Sequence, residues 1–204
     1  MDKHYTICMG RQIGAGGRGI AALVSESLGV NIYDRTLLKS ASQETGFSEE
    51  VFEKADEEKT RRGLRSMFMS HIHADVSANC LSVENIFSMQ SEVIRNIHAQ
   101  EDCIFIGRCA DYVLRDSDRL LSVFISASPE YRIRRIMEKG GLSERKARSM
   151  MEEADRKRAS YYNYFTGRSW GMPESYDICL NSSVLGDGKC AEMIVALAKE
   201  RLGI

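Results

Sequence analysis

A glycine-rich segment near residue 10 is the feature of the sequence best suited to chemistry. It reads Gly10-Arg11-Gln12-Ile13-Gly14-Ala15-Gly16-Gly17-Arg18-Gly19 and stands between a short apolar run and a pattern typical of a helix. Glycines let several backbone N–H groups point at one anion, and the N-terminus of the following helix adds partial positive charge. The segment therefore predicts a phosphate-binding loop, with candidate contacts at Arg11, Gly14, Ala15, Gly16, Gly17, Arg18 and Gly19.

One interpretation of this loop is dinucleotide binding. Gly14, Gly16 and Gly19 satisfy the pattern G-x-G-x-x-G, and Asp34 follows at the distance of the acid that binds ribose in such folds. That pattern begins directly at the end of a strand, however, whereas residues 10–13 separate the apolar run from Gly14. A separation of this length is typical of the arc of a P-loop.

The P-loop is the second interpretation, and its pattern G-x-x-x-x-G-K-[ST] is not satisfied either. Alignment places Arg11 at the first glycine, Gly17 at the lysine and Arg18 at the serine or threonine. A P-loop lysine supplies charge to the donor phosphates and the hydroxyl binds Mg²⁺. Arg11 or Arg18 is the candidate replacement for the lysine, and no residue of the loop is assigned as a metal ligand.

Positive charge is concentrated in residues 132–158. This stretch of 27 residues holds ten basic and five acidic side chains, although the whole chain carries a formal net charge of −1. That overall balance excludes a general duplex nucleic-acid binder, which needs a basic surplus. Arginines that close over a transferring phosphate would need such a local surplus, because phosphoryl transfer is catalysed mainly by positioning and charge.

Short apolar runs alternate with helical patterns along the chain. The predicted strands are residues 5–9, 30–33, 103–106, 120–126 and 176–180. Fully apolar strands that alternate with helices indicate a parallel sheet covered on both faces, and such sheets bind ligands at the carboxyl ends of their strands.

The composition fits one folded domain. The 204 residues are 43% hydrophobic and 28% charged, with two prolines. Six cysteines without a C-x-x-C pair predict reduced thiols, and the absence of a signal-like or long apolar segment predicts a cytoplasmic protein that has no membrane partner.

Several further segments, taken in order, resemble those of cytidylate kinases. They are 28–34, Ile106-Gly107-Arg108, 124–135, Asp155-Arg156-Lys157-Arg158 and 176–183. More narrowly, the loop R-Q-I-G-x-G-G-R is similar to that of a divergent cytidylate kinase-like group. The resemblance covers nearly the whole chain except about residues 40–100.

The resemblance implies an α/β, three-layer P-loop NTPase-like fold with a parallel five-stranded sheet. It implies a single kinase-like domain over residues 1–204, with its core at about 1–39, 101–136 and 159–204. A helical monophosphate-binding insertion would span about 40–100, and an arginine-rich lid about 137–158. The implied reaction is transfer of the ATP γ-phosphate, with Mg²⁺, to a nucleoside monophosphate such as CMP.

The same resemblance assigns roles to individual residues. Substrate binding falls on Asp34, Arg108, Arg132, Asp155 and Arg158, and catalysis on Arg18, Arg132 and Arg158. Met151 stands where cytidylate kinases usually carry another substrate-binding arginine.

Two alternatives remain open at this point. One is a non-catalytic nucleotide-binding protein with a degenerate P-loop, which is suggested by Gly17 and Arg18. The other is an NAD(P)-binding oxidoreductase, which rests on the glycine spacing and Asp34. The expected partners are small-molecule nucleotides rather than nucleic acid, and the oligomeric state stays open.

Overall fold

The computed structural model describes residues 3–34 and 83–204. Within them, five parallel strands form one sheet in the order β2-β3-β1-β4-β5. The strands are β1 Thr6–Arg11, β2 Asn31–Tyr33, β3 Cys103–Ile106, β4 Leu120–Ser126 and β5 Ile178–Asn181. Thr6 of β1 lies opposite Cys103 of β3 and Leu120 of β4, so the central strands begin level with one another.

The described helices fall on both faces of the sheet. They are α1 Gly17–Leu28, α2 Val83–Gln100, α3 Ala110–Val113, α4 Pro129–Gly140, α5 Glu144–Thr166 and α6 Ser182–Leu202, with a short 3₁₀ turn at Pro173–Ser175. The α/β architecture with a parallel five-stranded sheet is therefore confirmed.

Alternation along β1 divides the core between the two faces. Ile7 and Met9 pack into a buried cluster that includes Ile20 and Val24 of α1 and Ile194 of α6. Between them Cys8 points to the opposite face, into a cluster with residues of α2 and α3. Successive side chains of a strand alternate in this way, and strands buried on both faces are fully apolar for the same reason.

Helix α2 belongs to this packing, since Val93 and Ile94 lie in the second cluster beside Phe105 of β3. The apolar pattern over 83–97 is therefore confirmed as core. Most of the predicted monophosphate-binding insertion, however, lies outside the described residues, and the domain boundaries stay a prediction.

The order of the strands decides between the two interpretations of the loop. A dinucleotide-binding sheet places β2 next to β1. Here β3 lies between them, so Asp34, at the end of β2, belongs to a strand that is not adjacent to β1. The dinucleotide interpretation is therefore wrong for this chain.

Several element boundaries differ from those that the sequence predicts, and two of them lie close to the glycine loop. Strand β1 continues through Gly10 to Arg11, because both residues pair with β4, so the strand ends later than predicted. Helix α6 begins at Ser182 rather than near residue 188, although the non-helical Gly186 (φ 76°) divides it into two parts. The sequence pattern captured only the second part.

The arginine-rich residues form two helices that pack against each other. Gly141 ends α4 in the left-handed conformation, as its sequence predicts, and Ser143 begins α5. Ile133, Ile136, Ala147 and Met151 form a small buried cluster between the helices, and Ile13 of the glycine loop packs against it. The loop is thus in contact with the pair of helices.

Two further observations concern the whole described region. No helix within residues 3–34 and 83–204 is long and apolar enough to cross a membrane. Five described cysteines are free; Cys179 is exposed and the other four are buried. Cys80 lies outside the described residues.

The N-caps of α4 and α5 provide a test of this geometry. Ser128 accepts a hydrogen bond from the backbone N–H of Tyr131, whereas Ser143 makes no such bond. Ser128→Ala is expected to lower the free energy of unfolding by about 1 kcal/mol, or roughly 2–4 °C in Tm. Ser143→Ala should change it by less than about 0.5 kcal/mol. Thermal melts followed by circular dichroism compare them, and equal losses would contradict the assigned caps.

Candidate active site

The glycine loop joins the carboxyl end of β1 to the N-terminus of α1. Gly14 (φ 77°) and Gly16 (φ 81°) both have left-handed backbones, which glycine adopts without steric penalty. A Cβ on Gly14 would also lie 2.7 Å from the backbone oxygen of Arg132. Gly16 is the N-cap of α1 and offers no side chain to the first N–H groups of that helix. These groups are therefore suited to binding an anion.

An ion pair between Arg132 and Asp155 holds the glycine loop in place. Asp155 of α5 accepts a hydrogen bond from the backbone N–H of Ile13 at 2.9 Å and pairs with the guanidinium of Arg132 of α4. The same Nη1 of Arg132 lies 3.4 Å from the backbone oxygen of Ile13, to which it donates. Arg132 is only 6% exposed. Charge pairing between two helices thus fixes the position of Ile13.

Arg108 is carried by an unusual turn at the end of β3. Gly107, Arg108 and Cys109 all have positive φ, at 76°, 64° and 55°. For residues with a side chain, the left-handed conformation costs roughly 1–2 kcal/mol each. Strain of this kind concentrates at functional sites. The guanidinium carbon of Arg108 lies 5.8 Å from the ring centroid of Tyr161 of α5.

Four arginines surround the loop, and their charges oppose one another. Burial is the largest cause that lowers the pKa of Arg11, to about 9, and the charges of Arg158, Arg108 and Arg18 lower it further. Burial also lowers the pKa of Arg158; Asp155 raises it, while Arg108 and Arg132 lower it. An anionic ligand at this point would relieve the repulsion.

Arg18 and Asp34 form an ion pair across the outer part of this cluster. The side chain of Arg18 is 65% exposed, whereas that of Asp34 is 18% exposed. Asp34 is thereby brought near the loop although β3 separates its strand from β1.

The structure thus brings together the predicted residues of the glycine loop with Asp34, Arg108, Arg132, Asp155 and Arg158. It also defines their surroundings more closely than their spacing does. The side chains of Arg132 and Asp155 bind each other and the backbone of Ile13. Arg158 donates to the backbone oxygen of Arg11 at 3.4 Å. Met151 is buried in the cluster between α4 and α5, against which Ile13 packs.

A third ion pair beside the loop was not singled out from the sequence. Arg135 of α4 binds Asp187 of α6 with both Nη atoms, at 2.8 and 2.9 Å, and also donates to the hydroxyl of Tyr131. A Cβ on Gly16 would lie 2.6 Å from Asp187 Oδ1. The signal in the sequence is Gly186 before this aspartate, which interrupts the helix and turns Asp187 toward the loop.

Aromatic residues of α5 pack against α2. Phe165 stacks on Phe87 of α2 with ring centroids 4.1 Å apart, and Tyr161 contacts both rings. Tyr162 donates a hydrogen bond to the buried Asp111 at 2.7 Å, a link that the sequence did not suggest. Burial raises the pKa of that carboxyl group. These contacts fix α5 relative to α2 and α3.

The comparisons with known proteins agree with this geometry. The family model for the cytidylate kinase-like family matches residues 6–184. The chain belongs to the cytidylate kinase-like family. Membership indicates a kinase that acts on a nucleotide or another small molecule. A search of the curated proteins finds no match.

Solved structures share the fold across nearly the whole chain. An uncharacterized protein from Eubacterium ventriosum ATCC 27560 is 24% identical with a TM-score of 0.75, and the match covers 98% of this chain and 100% of that one. Shikimate kinase from Bacteroides thetaiotaomicron is 14% identical with a TM-score of 0.54, covering 98% and 99%. A gluconokinase from Sinorhizobium meliloti 1021 is 12% identical with a TM-score of 0.51, covering 100% and 94%.

Kinases with this fold generally use ATP with Mg²⁺. The described residues suit the phosphates of ATP better than the metal ion. Arg18 stands at the position of the hydroxyl ligand, and no group of three His, Cys, Asp or Glu side chains that could hold a metal occurs in residues 3–34 and 83–204. Asp34 and Asp155 both pair with arginines. Among the described residues, the position that carries the hydroxyl ligand in a P-loop therefore cannot hold Mg²⁺ here.

Asp155 provides a test of how the loop is held. Asp155→Asn should leave the charge of Arg132 uncompensated and lower the free energy of unfolding by about 3 kcal/mol, near the lower end for buried pairs because Asp155 is 15% exposed. On the same helix, Glu153 pairs with Lys157 and is 49% exposed, so Glu153→Gln should leave the free energy of unfolding nearly unchanged. Urea unfolding measures both, and equal effects would rule out Asp155 as the anchor.

Proposed function

We propose that this protein is an ATP-dependent kinase whose acceptor is a nucleoside monophosphate such as CMP. The observation that carries the proposal is the convergence of four arginines from four elements on the glycine loop. Arg11 ends β1, Arg18 lies in α1, Arg108 follows β3 and Arg158 lies in α5. A site with this surplus of positive charge requires a ligand with several negative charges.

In the proposed reaction an oxygen of the acceptor phosphate attacks the γ-phosphorus of ATP. A new P–O bond forms, the bond between the γ-phosphorus and the β–γ bridging oxygen breaks, and ADP leaves with that oxygen. Backbone N–H groups of residues 14–18 hold the donor phosphates, and Arg18 lies beside them. Arg108 and Arg158 neutralise charge on the acceptor and the transferring group. Mg²⁺ enters this proposal only as a counterion carried by ATP.

The neighbouring residues have supporting roles in the proposal. Arg132 and Asp155 hold the loop in position relative to the acceptor side. Asp34 lies at the entrance of the acceptor pocket. Residues 137–158 act as the lid and about 40–100 as the monophosphate-binding insertion of a single domain, with the core at about 1–39, 101–136 and 159–204. Two arginines on the acceptor side favour a phosphorylated acceptor over shikimate or gluconate, which carry one carboxylate.

A second candidate is a nucleotide-binding protein without turnover. The observation that favours it is the first turn of α1, where Gly17 and Arg18 provide neither a lysine nor a hydroxyl group. The two candidates share the fold and the bound nucleotide, so only the appearance of product separates them.

Calorimetry and an assay for ADP release test the proposal together. ATP and CMP are each titrated with and without Mg²⁺, and ADP release is then measured with CMP, shikimate, gluconate or no acceptor. We expect ATP to bind and CMP to stimulate multiple turnovers. ATP binding without ADP from any acceptor would favour the non-catalytic candidate, and stimulation by shikimate or gluconate alone would contradict the assigned acceptor.

Arg158 provides the matching test by mutation. Arg158→Met should lower kcat/KM by at least about 100-fold, which corresponds to about 2.7 kcal/mol of transition-state stabilisation. Arg201 of α6 is 50% exposed and pairs with Asp177, and it lies at the end of the sheet where β4 begins. Arg201→Met should leave kcat/KM within about twofold of the wild type. Similar rates for the two variants would remove Arg158 from the site.

A further inference from the structure

The sequence differs from the P-loop pattern at two positions that are related in the structure. The pattern requires a glycine where this chain has Arg11 and a lysine where it has Gly17. Compared with the pattern, the glycine and the long cationic residue are therefore interchanged between positions 11 and 17.

Contacts around Gly17 explain why this position is a glycine. A Cβ on Gly17 would lie 2.8 Å from both Cβ and Cγ of Arg11, which is closer than real Cβ contacts allow. Gly17 itself is buried. The stem of Arg11 therefore occupies the space in which a side chain at position 17 would begin.

The far end of the same side chain reaches a second glycine. Gly107, with φ 76°, follows β3, and a Cβ built on it would collide with Nη1 of Arg11. The side chain of Arg11 thus passes over Gly17 and ends at Gly107. Arg11, Gly17 and the distant Gly107 therefore form one arrangement.

The guanidinium of Arg11 lies in surroundings that favour the binding of an anion. It makes no hydrogen bond or ion pair with any residue in the described ranges 3–34 and 83–204. The charged groups that act on it are Arg158, Arg108 and Arg18, with Asp34 as the opposing acid, and Asp34 is itself paired with Arg18. A partly buried guanidinium with unused donors binds phosphate well, because its planar fork matches two phosphate oxygens.

The other candidate for the role, Arg18, has different surroundings. Its side chain is 65% exposed and its Nη2 pairs with Asp34. Binding phosphate through that atom would require breaking this ion pair, whereas Arg11 has no such pair to break.

We propose that Arg11, at the end of β1, supplies the cation that a P-loop lysine supplies from the first turn of the helix, and that it contacts the donor phosphates. Gly17 and Gly107 are glycines in this arrangement because the side chain of Arg11 passes over one and ends at the other. This inference rests on the proposed function, since it deepens the assignment of the loop as the donor site.

A reciprocal exchange tests the proposal. The variants are Arg11→Gly, Arg11→Met, Gly17→Lys and the double variant Arg11→Gly with Gly17→Lys, and Arg201→Met is the control. Calorimetric titration with ATP and with inorganic pyrophosphate gives the affinities, and thermal melts report folding. Arg11→Gly and Arg11→Met should each weaken both ligands at least tenfold. Gly17→Lys alone should lower Tm, because its side chain collides with Arg11.

The double variant is the decisive measurement. It should melt above Gly17→Lys and recover at least tenfold in affinity over Arg11→Gly, because the lysine then enters the space that Arg11 vacates. A double variant that binds no better than Arg11→Gly would overturn the proposal, as would Arg11→Met that binds like the wild type.

The proposed function fails separately. Affinity for ATP that depends on Arg11, together with no ADP from any acceptor, would support the role of Arg11 and contradict the kinase. A wild type that turns over with CMP although Arg11→Met binds ATP normally would do the reverse. No binding of either ligand by the wild type would overturn both.

Discussion

The glycine loop depends on the buried ion pair between Arg132 and Asp155. One partner comes from α4 and the other from α5, and both contact the backbone of Ile13. The loop and the two arginine-rich helices therefore have to be positioned together. Because Arg158 lies three residues after Asp155 on α5, the same link sets the distance between Arg158 and the end of β1, where it donates to the backbone oxygen of Arg11. Removing Asp155 would leave the buried charge of Arg132 without its partner, which is the costly case for such pairs, whereas Asp155 also lies 3.8 Å from Arg158.

The ion pair between Arg132 and Asp155 holds the mutually repelling arginines around the loop close together. The pKa values of Arg11 and Arg158 are lowered, with burial as the first cause and neighbouring arginines as the next. The left-handed turn at Arg108 adds backbone strain at the same place. Repulsion and strain both have to be balanced by packing elsewhere, and the core on both faces of the sheet provides it. An anion bound at the loop removes the repulsion, so ligand binding and stability are coupled.

Local patterns were sufficient to predict most of the fold. The apolar runs predicted the five strands, because the signals for a strand act within a few residues. Strand order is a long-range property, and the spacing of Gly14, Gly16, Gly19 and Asp34 therefore fitted the wrong topology equally well. The site was predicted in part for the same reason. Its residue types were visible in the sequence, whereas the pairing of Arg135 with Asp187 and the burial of Met151 depend on how α4 packs on α5 and α6.

The arrangement of Arg11 and Gly17 concerns the difference between a position in a sequence motif and a position in space. A phosphate-binding loop needs a backbone conformation and a cation at a point in space, and the motif specifies the cation only by its usual position in the chain. The backbone requirement is met here by Gly14 and Gly16, whose positive φ angles suit the turn. In the proposed arrangement the cation requirement is met from β1, which lies beside the loop as α1 does. A side chain can replace another across a loop whenever its stem has room, and the glycine at position 17 provides that room. In the proposed arrangement the departures from the motif at these two positions compensate each other, because the missing side chain at position 17 makes room for that of Arg11.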